Sequence, residues 1–344
     1  MEAVGDENSC DHTKARSVGC LGIGDSTLYQ GFWIFAEALE NIKDFQQNFN
    51  ALDTDLLLAS HPKSGTVWLK ALAFAIVNRT RYPLLSSSNH HPLLTVSPHD
   101  LVPFLDLKHV YPASSLLDFT KSGSHDHHYS SCRLMATHIP YTSPPDSVTN
   151  SAINCKIVYI CRNPQDTFIS MWQFFNKMRT LPESNNKSTP SLSKMKKSCP
   201  LSLEDAFELF CNGVSDYGPY WDHVLGYWKE SLERPCKVLF LKYEDLKKEP
   251  EPQLKKLAEF LGYSISVEEE SVGVIKEIIN LCSFQHLKNL DVNKHGKIWN
   301  NSLANKDIFR KGEVGDWKNY LTPVMVERLD RLMEEKLHES GLSY

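Results

Sequence analysis

Residues 56–68 run Leu56-Leu57-Leu58-Ala59-Ser60-His61-Pro62-Lys63-Ser64-Gly65-Thr66-Val67-Trp68, and the stretch changes character twice. The apolar run predicts a buried strand, Pro62 breaks it, and Trp68 to Val77 predicts a helix. Strand, tight loop and helix N-terminus in that order form an anion seat. The unpaired amides of the first helical turn point at the ligand, and the helix dipole favours negative charge there. Lys63 adds a full positive charge, while Ser64 and Thr66 add hydroxyl donors. The seat suits a phosphate or a sulfate. It is not a Walker A loop, which has its Lys after the last of two glycines and a following hydroxyl for magnesium. Here Lys63 precedes Gly65, the one glycine present.

Downstream of this unit, strands and helices alternate. Ser131–Thr137 predicts a short strand ending at His138-Ile139-Pro140, and Lys156–Cys161 predicts a strand running into Arg162-Asn163-Pro164 and a helix through Trp172 and Phe175. Leu203–Trp228 reads as helical, Lys237–Tyr243 as a strand and Glu251–Leu261 as a helix. Thr322 caps a last amphipathic helix that Pro323 opens. The alternation predicts an α/β domain with a central, mostly parallel sheet flanked by helices. In such sheets ligands bind beyond the carboxyl ends of the strands. Lys63, His138, Arg162 and Tyr243 each follow or end a predicted strand, so they should converge. Residues 1–28 read as a flexible N-terminal tail and 29–344 as a single domain. Pro83–Pro98, Lys121–Ser131 and Thr180–Pro200 read as loops.

Composition narrows the function. With 41% hydrophobic and 23% charged residues among 344, the chain has the balance of a soluble globular protein. A net charge of −5 offers no general attraction to nucleic acid or acidic membranes, so an anion site must be a local basic cluster. Nine cysteines without a Cys-x-x-Cys pair, and a polar N-terminus without a secretory pattern, predict reduced thiols and a cytoplasmic location. No apolar run reaches the length of a membrane span. The segment His125-Asp126-His127-His128 with Cys132 lacks the second ligand pair of a zinc site and reads as an exposed loop, with no metal expected.

Six motifs in order carry a resemblance. They are Pro62–Trp68, Thr137-His138-Ile139-Pro140, Arg162-Asn163-Pro164 through Ser170, Leu241-Lys242-Tyr243-Glu244, Cys282-Ser283-Phe284, and Arg310-Lys311-Gly312 through Trp317. With these the chain resembles a plant-type cytosolic sulfotransferase from about Phe32 to its C-terminus. The resemblance implies transfer of a sulfuryl group from 3′-phosphoadenosine 5′-phosphosulfate (PAPS) to a small-molecule acceptor, without a metal. It implies Lys63, Ser64, Gly65, Thr66, Val67 and Trp68 around the 5′-phosphosulfate, with Trp68 against the adenine. Arg162 and Ser170 match 3′-phosphate ligands, and Arg310, Lys311 and Gly312 match the loop closing over that phosphate. Tyr243, Cys282, Ser283 and Phe284 match positions around the adenine. His138 matches the catalytic base, a role a neutral imidazole can fill near neutral pH. Lys63 would stabilise charge on the departing phosphate oxygen.

Three positions depart from the pattern. Val67 stands where the family has a second Thr, which removes one hydroxyl donor. Ala136 stands where animal members often carry a Lys. Pro323 stands in the segment animal members use to dimerise and has no N–H to donate, so a monomer or weak homodimer is expected. Flavonoids, brassinosteroids, hydroxyjasmonates and desulfoglucosinolates are all acceptors the resemblance allows. Apolar residues around Leu101–Phe104 and Trp172–Phe175 favour an apolar body bearing a hydroxyl. A weak or inactive relative binding the desulfonated product PAP, and a P-loop kinase-like enzyme, remain as alternative readings.

Overall fold

The apolar segments read as strands form the centre of the molecule. The computed structural model describes residues 18–19, 21–22, 25–85, 90–107, 132–150, 152–180, 199–298 and 303–344. An antiparallel hairpin of β1 (Asp25–Tyr29) and β2 (Phe32–Phe35) precedes the central sheet. The 28/29 boundary read from the sequence falls inside β1. Helix α1 (Ala36–Asn48) then leads to β3 (Leu56–Ser60), every residue of which is buried. Strands β4 (Leu134–Thr137), β5 (Lys156–Cys161) and β6 (Val238–Lys242) complete a parallel sheet in the order β4-β3-β5-β6. The register places Leu58 beside Ala136 and Val158, and Val158 beside Leu239. With helices on its faces, such a sheet buries both sides, so its strands are continuous apolar runs.

Helix α2 (Thr66–Asn78) follows β3 directly, and α3 (Pro164–Arg179) follows β5. Pro164 occupies the first helical position of α3, and the Asn163 side chain accepts hydrogen bonds from the Gln165 and Asp166 amides. The helical region read over Leu203–Trp228 is two helices, α4 (Leu203–Cys211) and α5 (Tyr220–Glu233). The intervening residues 212–219 make irregular backbone contacts instead: Leu21 N–H donates to Val214 O, and Tyr217 N–H to Trp33 O. Tyr243, read as the end of a strand, is the first residue of α6 (Tyr243–Lys248). Helices α7 (Pro250–Leu261), α8 (Val274–Leu281) and α9 (Phe284–Asn289) follow, and α10 (Pro323–Leu337) has the expected Thr322 cap.

The Lys121–Ser131 connection, including His125, Asp126, His127 and His128, and residues 181–198 lie outside the described residues. The Pro83–Pro98 segment, read as a loop, holds a short 3-10 turn at Pro92–Leu94.

Candidate active site

The turn from β3 into α2 is built around two left-handed residues. Lys63 has φ 66° and Gly65 has φ 111°. A Cβ at Gly65 would lie 2.9 Å from the Tyr243 ring and 3.1 Å from Ile160, so the position requires glycine on both counts. These two residues turn the chain from β3 into α2 beside a cavity. Lys63, Gly65, Thr66, Val67 and Trp68 line it, together with Arg162, Ser170 and Tyr243 from the neighbouring strand ends. Cys282, Phe284, Arg310, Lys311, Gly312 and His138 also line it. The expected convergence at the carboxyl edge of the sheet is present.

Two expected residues do not line the cavity. The Ser283 hydroxyl accepts from the His286 amide and caps α9. Ser64 is fully buried behind the loop, and its Oγ has no partner. Thr66 lines the cavity, but its hydroxyl pairs with the Ser60 hydroxyl at 2.7 Å. Of the apolar stretch around α3, Phe174 and Phe175 line the cavity, whereas Trp172 Nε1 donates to Leu201 O.

His138 is buried, and its Nδ1 lies 2.8 Å from the Ser60 carbonyl oxygen. A carbonyl only accepts, so Nδ1 carries the proton and Nε2 holds the lone pair. Burial lowers the imidazole pKa to about 3; the Ser60 bond opposes this, and Lys70 and Lys63 reinforce it. The ring is neutral at pH 7 and able to accept a proton. Behind it, the His138 carbonyl accepts from His223 Nε2 at 2.8 Å, and His223 Nδ1 pairs with the Tyr159 hydroxyl at 2.9 Å.

The cations form a cluster. Lys63 Nζ stands 3.9 Å from the centre of the Phe174 ring. Burial lowers its pKa to about 7, with repulsion from Arg310 and Arg162 adding to the effect and Asp307 opposing it. Arg162 stacks over the Tyr243 ring at 4.8 Å and donates to the Glu313 carbonyl at 2.6 Å. Tyr243 meets Trp68 edge-on at 5.4 Å. Arg310 and Lys311 both pair with Asp316. Burial opposes ionisation of that carboxyl, but hydrogen bonds from Lys311, Arg310 and Asn319 hold it down at about 2. Gly312 has φ 68°, and a Cβ there would lie 2.4 Å from the Phe284 ring. Only glycine lets this loop cross Phe284.

Several polar atoms around the cavity are buried without a partner among the described residues: Trp68 Nε1, Arg162 Nε and Arg310 Nε, besides Ser64 Oγ. Each unpaired buried donor costs about 1–3 kcal/mol. A ligand rich in acceptor atoms and negative charge would relieve that cost, and PAPS, with its phosphates and purine, fits the donor set. Among the described residues no group of three or more His, Cys, Asp or Glu side chains is arranged to hold a metal ion.

Sequence reasoning missed the residues that organise the site. Asp166 accepts from the Gly315 amide at 2.7 Å and the Trp317 amide at 3.1 Å, fixing the Arg310–Gly312 loop against α3. Phe35, His99, Asp216 and Tyr217 line the cavity without belonging to any motif. Their signal lies in contacts between distant segments, which spacing does not reveal.

Known proteins resemble this chain over most of its length. The family described as "Sulfotransferase domain" matches residues 53–341. Cytosolic sulfotransferase 14 of Arabidopsis thaliana is 49% identical over 319 residues, 92% of this chain and 84% of that protein. Cytosolic sulfotransferase 6 of the same plant is 47% identical over 92% of this chain and 88% of its own length. The solved structure of mouse sulfotransferase SULT7A1 complexed with PAP superposes with a TM-score of 0.64 at 26% identity, covering 92% of this chain and 95% of that one. The chain belongs to the sulfotransferase family, as a PAPS-dependent enzyme of the plant cytosolic type.

Proposed function

We propose that this enzyme transfers a sulfuryl group from PAPS to the hydroxyl of a small-molecule acceptor, with His138 as general base and Lys63 as the cation at the leaving oxygen. The observation that carries the reading is the Nδ1–H bond from His138 to the Ser60 carbonyl, 2.8 Å, which leaves a neutral imidazole with Nε2 as its acceptor atom. PAPS, when bound, supplies the sulfuryl group on a phosphate leaving group. His138 Nε2 takes the proton from the acceptor hydroxyl. Lys63 and the amides of Gly65, Thr66, Val67 and Trp68 hold the charge that develops on the departing phosphate. Arg162, Ser170, Arg310, Lys311 and Gly312 hold the 3′-phosphate, while Trp68, Tyr243, Cys282 and Phe284 enclose the adenine.

The acceptor side has aromatic walls, Phe35, Phe104, Phe174, Phe175 and Tyr217, which support an acceptor with an apolar body of the flavonoid or steroid kind over hydroxyjasmonate or a desulfoglucosinolate. The enzyme acts in the cytoplasm as a monomer or weak homodimer, independent of nucleic acid and of membranes. No helix among the described residues is long and apolar enough to cross a membrane. Val67 lines the cavity without a hydroxyl and supports a second reading, an enzyme of low turnover.

Transfer from radiolabelled PAPS to a panel of hydroxylated acceptors tests the reading. His138→Ala should lower turnover by about 10²–10⁴-fold while leaving PAP affinity unchanged within about twofold. Wild-type turnover in that variant would remove His138 from the mechanism.

A further inference from the structure

We propose that Asp106 is the positioning residue of the acceptor side, tying the base to the wall against which the acceptor hydroxyl is presented. The inference rests on the assignment of His138 as base. Asp106 is completely buried. Its two carboxylate oxygens accept from the His138 amide at 3.2 and 3.3 Å. One of them also accepts from the Tyr217 hydroxyl at 2.6 Å. A single carboxylate thus joins three segments far apart in sequence.

The segment that delivers Asp106 is itself strand-like. Leu105 N–H donates to Ala136 O at 2.9 Å and Ala136 N–H to Pro103 O at 2.8 Å, so residues 103–105 extend the sheet beside β4. Phe104 is thereby laid on the His138 ring, centroids 4.8 Å apart, and Tyr217 on another side at 5.5 Å. With Nδ1 fixed by Ser60, the two rings restrict the imidazole and Asp106 restricts both its backbone and Tyr217.

Tyr217 is held in an uncommon conformation. Its φ is 60°, a region that a bulky side chain seldom occupies. The Tyr217 N–H to Trp33 O bond, 2.7 Å, and the Trp33 N–H to Gly218 O bond, 2.9 Å, impose it. Backbone strain persists where surrounding contacts over-determine it, and such sites are concentrated around functional groups. Here the strained backbone turns the hydroxyl onto Asp106 and the ring onto the base.

A base misplaced by about 1 Å loses on the order of 10²-fold in rate without losing ligand affinity. Asp106→Asn, Tyr217→Phe and the double variant separate positioning from general stability. Each is assayed as enzyme preloaded with radiolabelled PAPS, with 4-nitrophenol as the acceptor probe, beside PAP calorimetry and thermal melting. Asp106→Asn should lower the single-turnover rate about 30–100-fold and Tyr217→Phe about 3–10-fold, with PAP affinity changed less than about twofold. The double variant should be no slower than Asp106→Asn, because both act through one contact.

Unchanged rate in Asp106→Asn overturns the proposal, as does a parallel loss of PAP affinity, which would mark a general structural role. Multiplying effects in the double variant overturn the shared contact. If Asp106→Asn does not fold, Tyr217→Phe decides, since it removes one hydroxyl and leaves the carboxylate in place; an unchanged rate there is equally fatal. Full activity of His138→Ala would instead strike the base assignment, and so is distinguishable from failure of the Asp106 inference alone.

Discussion

Binding of PAP should draw a proton onto Lys63. The amine is buried beside Arg162 and Arg310, and these surroundings bring its pKa to about 7. At pH 8 Lys63 in the free enzyme should therefore be mostly neutral. In the proposed binding mode the incoming phosphates would place negative charge against all three cations and return the pKa toward its ordinary range. Complex formation at pH 8 should take up about 0.9 proton per site, and affinity should fall about tenfold for each pH unit above 7. The phosphates themselves contribute little at that pH, because their second ionisation lies near pH 6. Calorimetric titration with PAP in buffers of different ionisation enthalpy measures the uptake directly, and Lys63→Met identifies its source. Heats that are independent of buffer at pH 8, or the same uptake in Lys63→Met, would refute the argument.

Other outcomes follow from the same geometry. With Arg162 and Arg310 leaving Nε donors unpaired, PAP should bind at least tenfold tighter than adenosine 5′-phosphosulfate, which lacks the 3′-phosphate; equal affinities in calorimetry would contradict the placement. Val67→Thr should tighten PAPS binding or raise turnover by roughly 1–2 kcal/mol, about what one hydrogen bond contributes, as read in kinetics with varied PAPS. A loss there would show that the methyl groups of Val67 are needed for packing. His61, His99, His138 and His223 are all buried with lowered pKa values, burial being the first cause in each, so below about pH 6.5 the unfolded chain binds protons that the folded one refuses. The contribution of these four imidazoles is complete above that pH and should fall by about 5 kcal/mol between pH 7 and pH 5.5, a large share of a domain's usual 5–15 kcal/mol. A melting temperature that is flat over this interval would show that these imidazoles already carry protons when folded.

The parts of the fold that were legible are those whose cause is local. Leu56–Ser60 is buried along its whole length and so appears as an uninterrupted apolar run; Gly65 and Pro164 mark helix starts because backbone geometry demands them there. Membership of a motif was a weaker guide to where a side chain points. Ser283 lies between two cavity-lining residues, yet its own hydroxyl serves the cap of α9. Thr66, expected to offer its hydroxyl to the ligand, pairs it with Ser60. Least legible were Asp106, Asp166 and Tyr217. Asp166 meets amides 149 and 151 positions away, and Tyr217 meets Asp106 across 111, so no window of sequence contains the interaction that gives each its role. A buried acid is a strong signal only once burial is known, since the same residue on a surface has no special meaning.

Burial acts on the two central groups of the site in the same direction and with different consequences. It holds His138 neutral, which is the state a base requires, and it pushes Lys63 toward neutrality, which is the wrong state for a cation at a leaving oxygen. The dryness that suits one therefore handicaps the other until negative charge arrives. Arg162 and Arg310 deepen the handicap in the free enzyme, and they are also the groups best placed to attract the anion that removes it. Proton uptake by Lys63 and a proton-free His138 Nε2 would coexist under the proposed mechanism, because the Ser60 bond and the aromatic contacts hold the imidazole apart from the phosphate-binding cations. Under the proposed mechanism the site would reach its active charge pattern when the donor binds, and the proton Lys63 gains on binding would measure how far that pattern has been assembled.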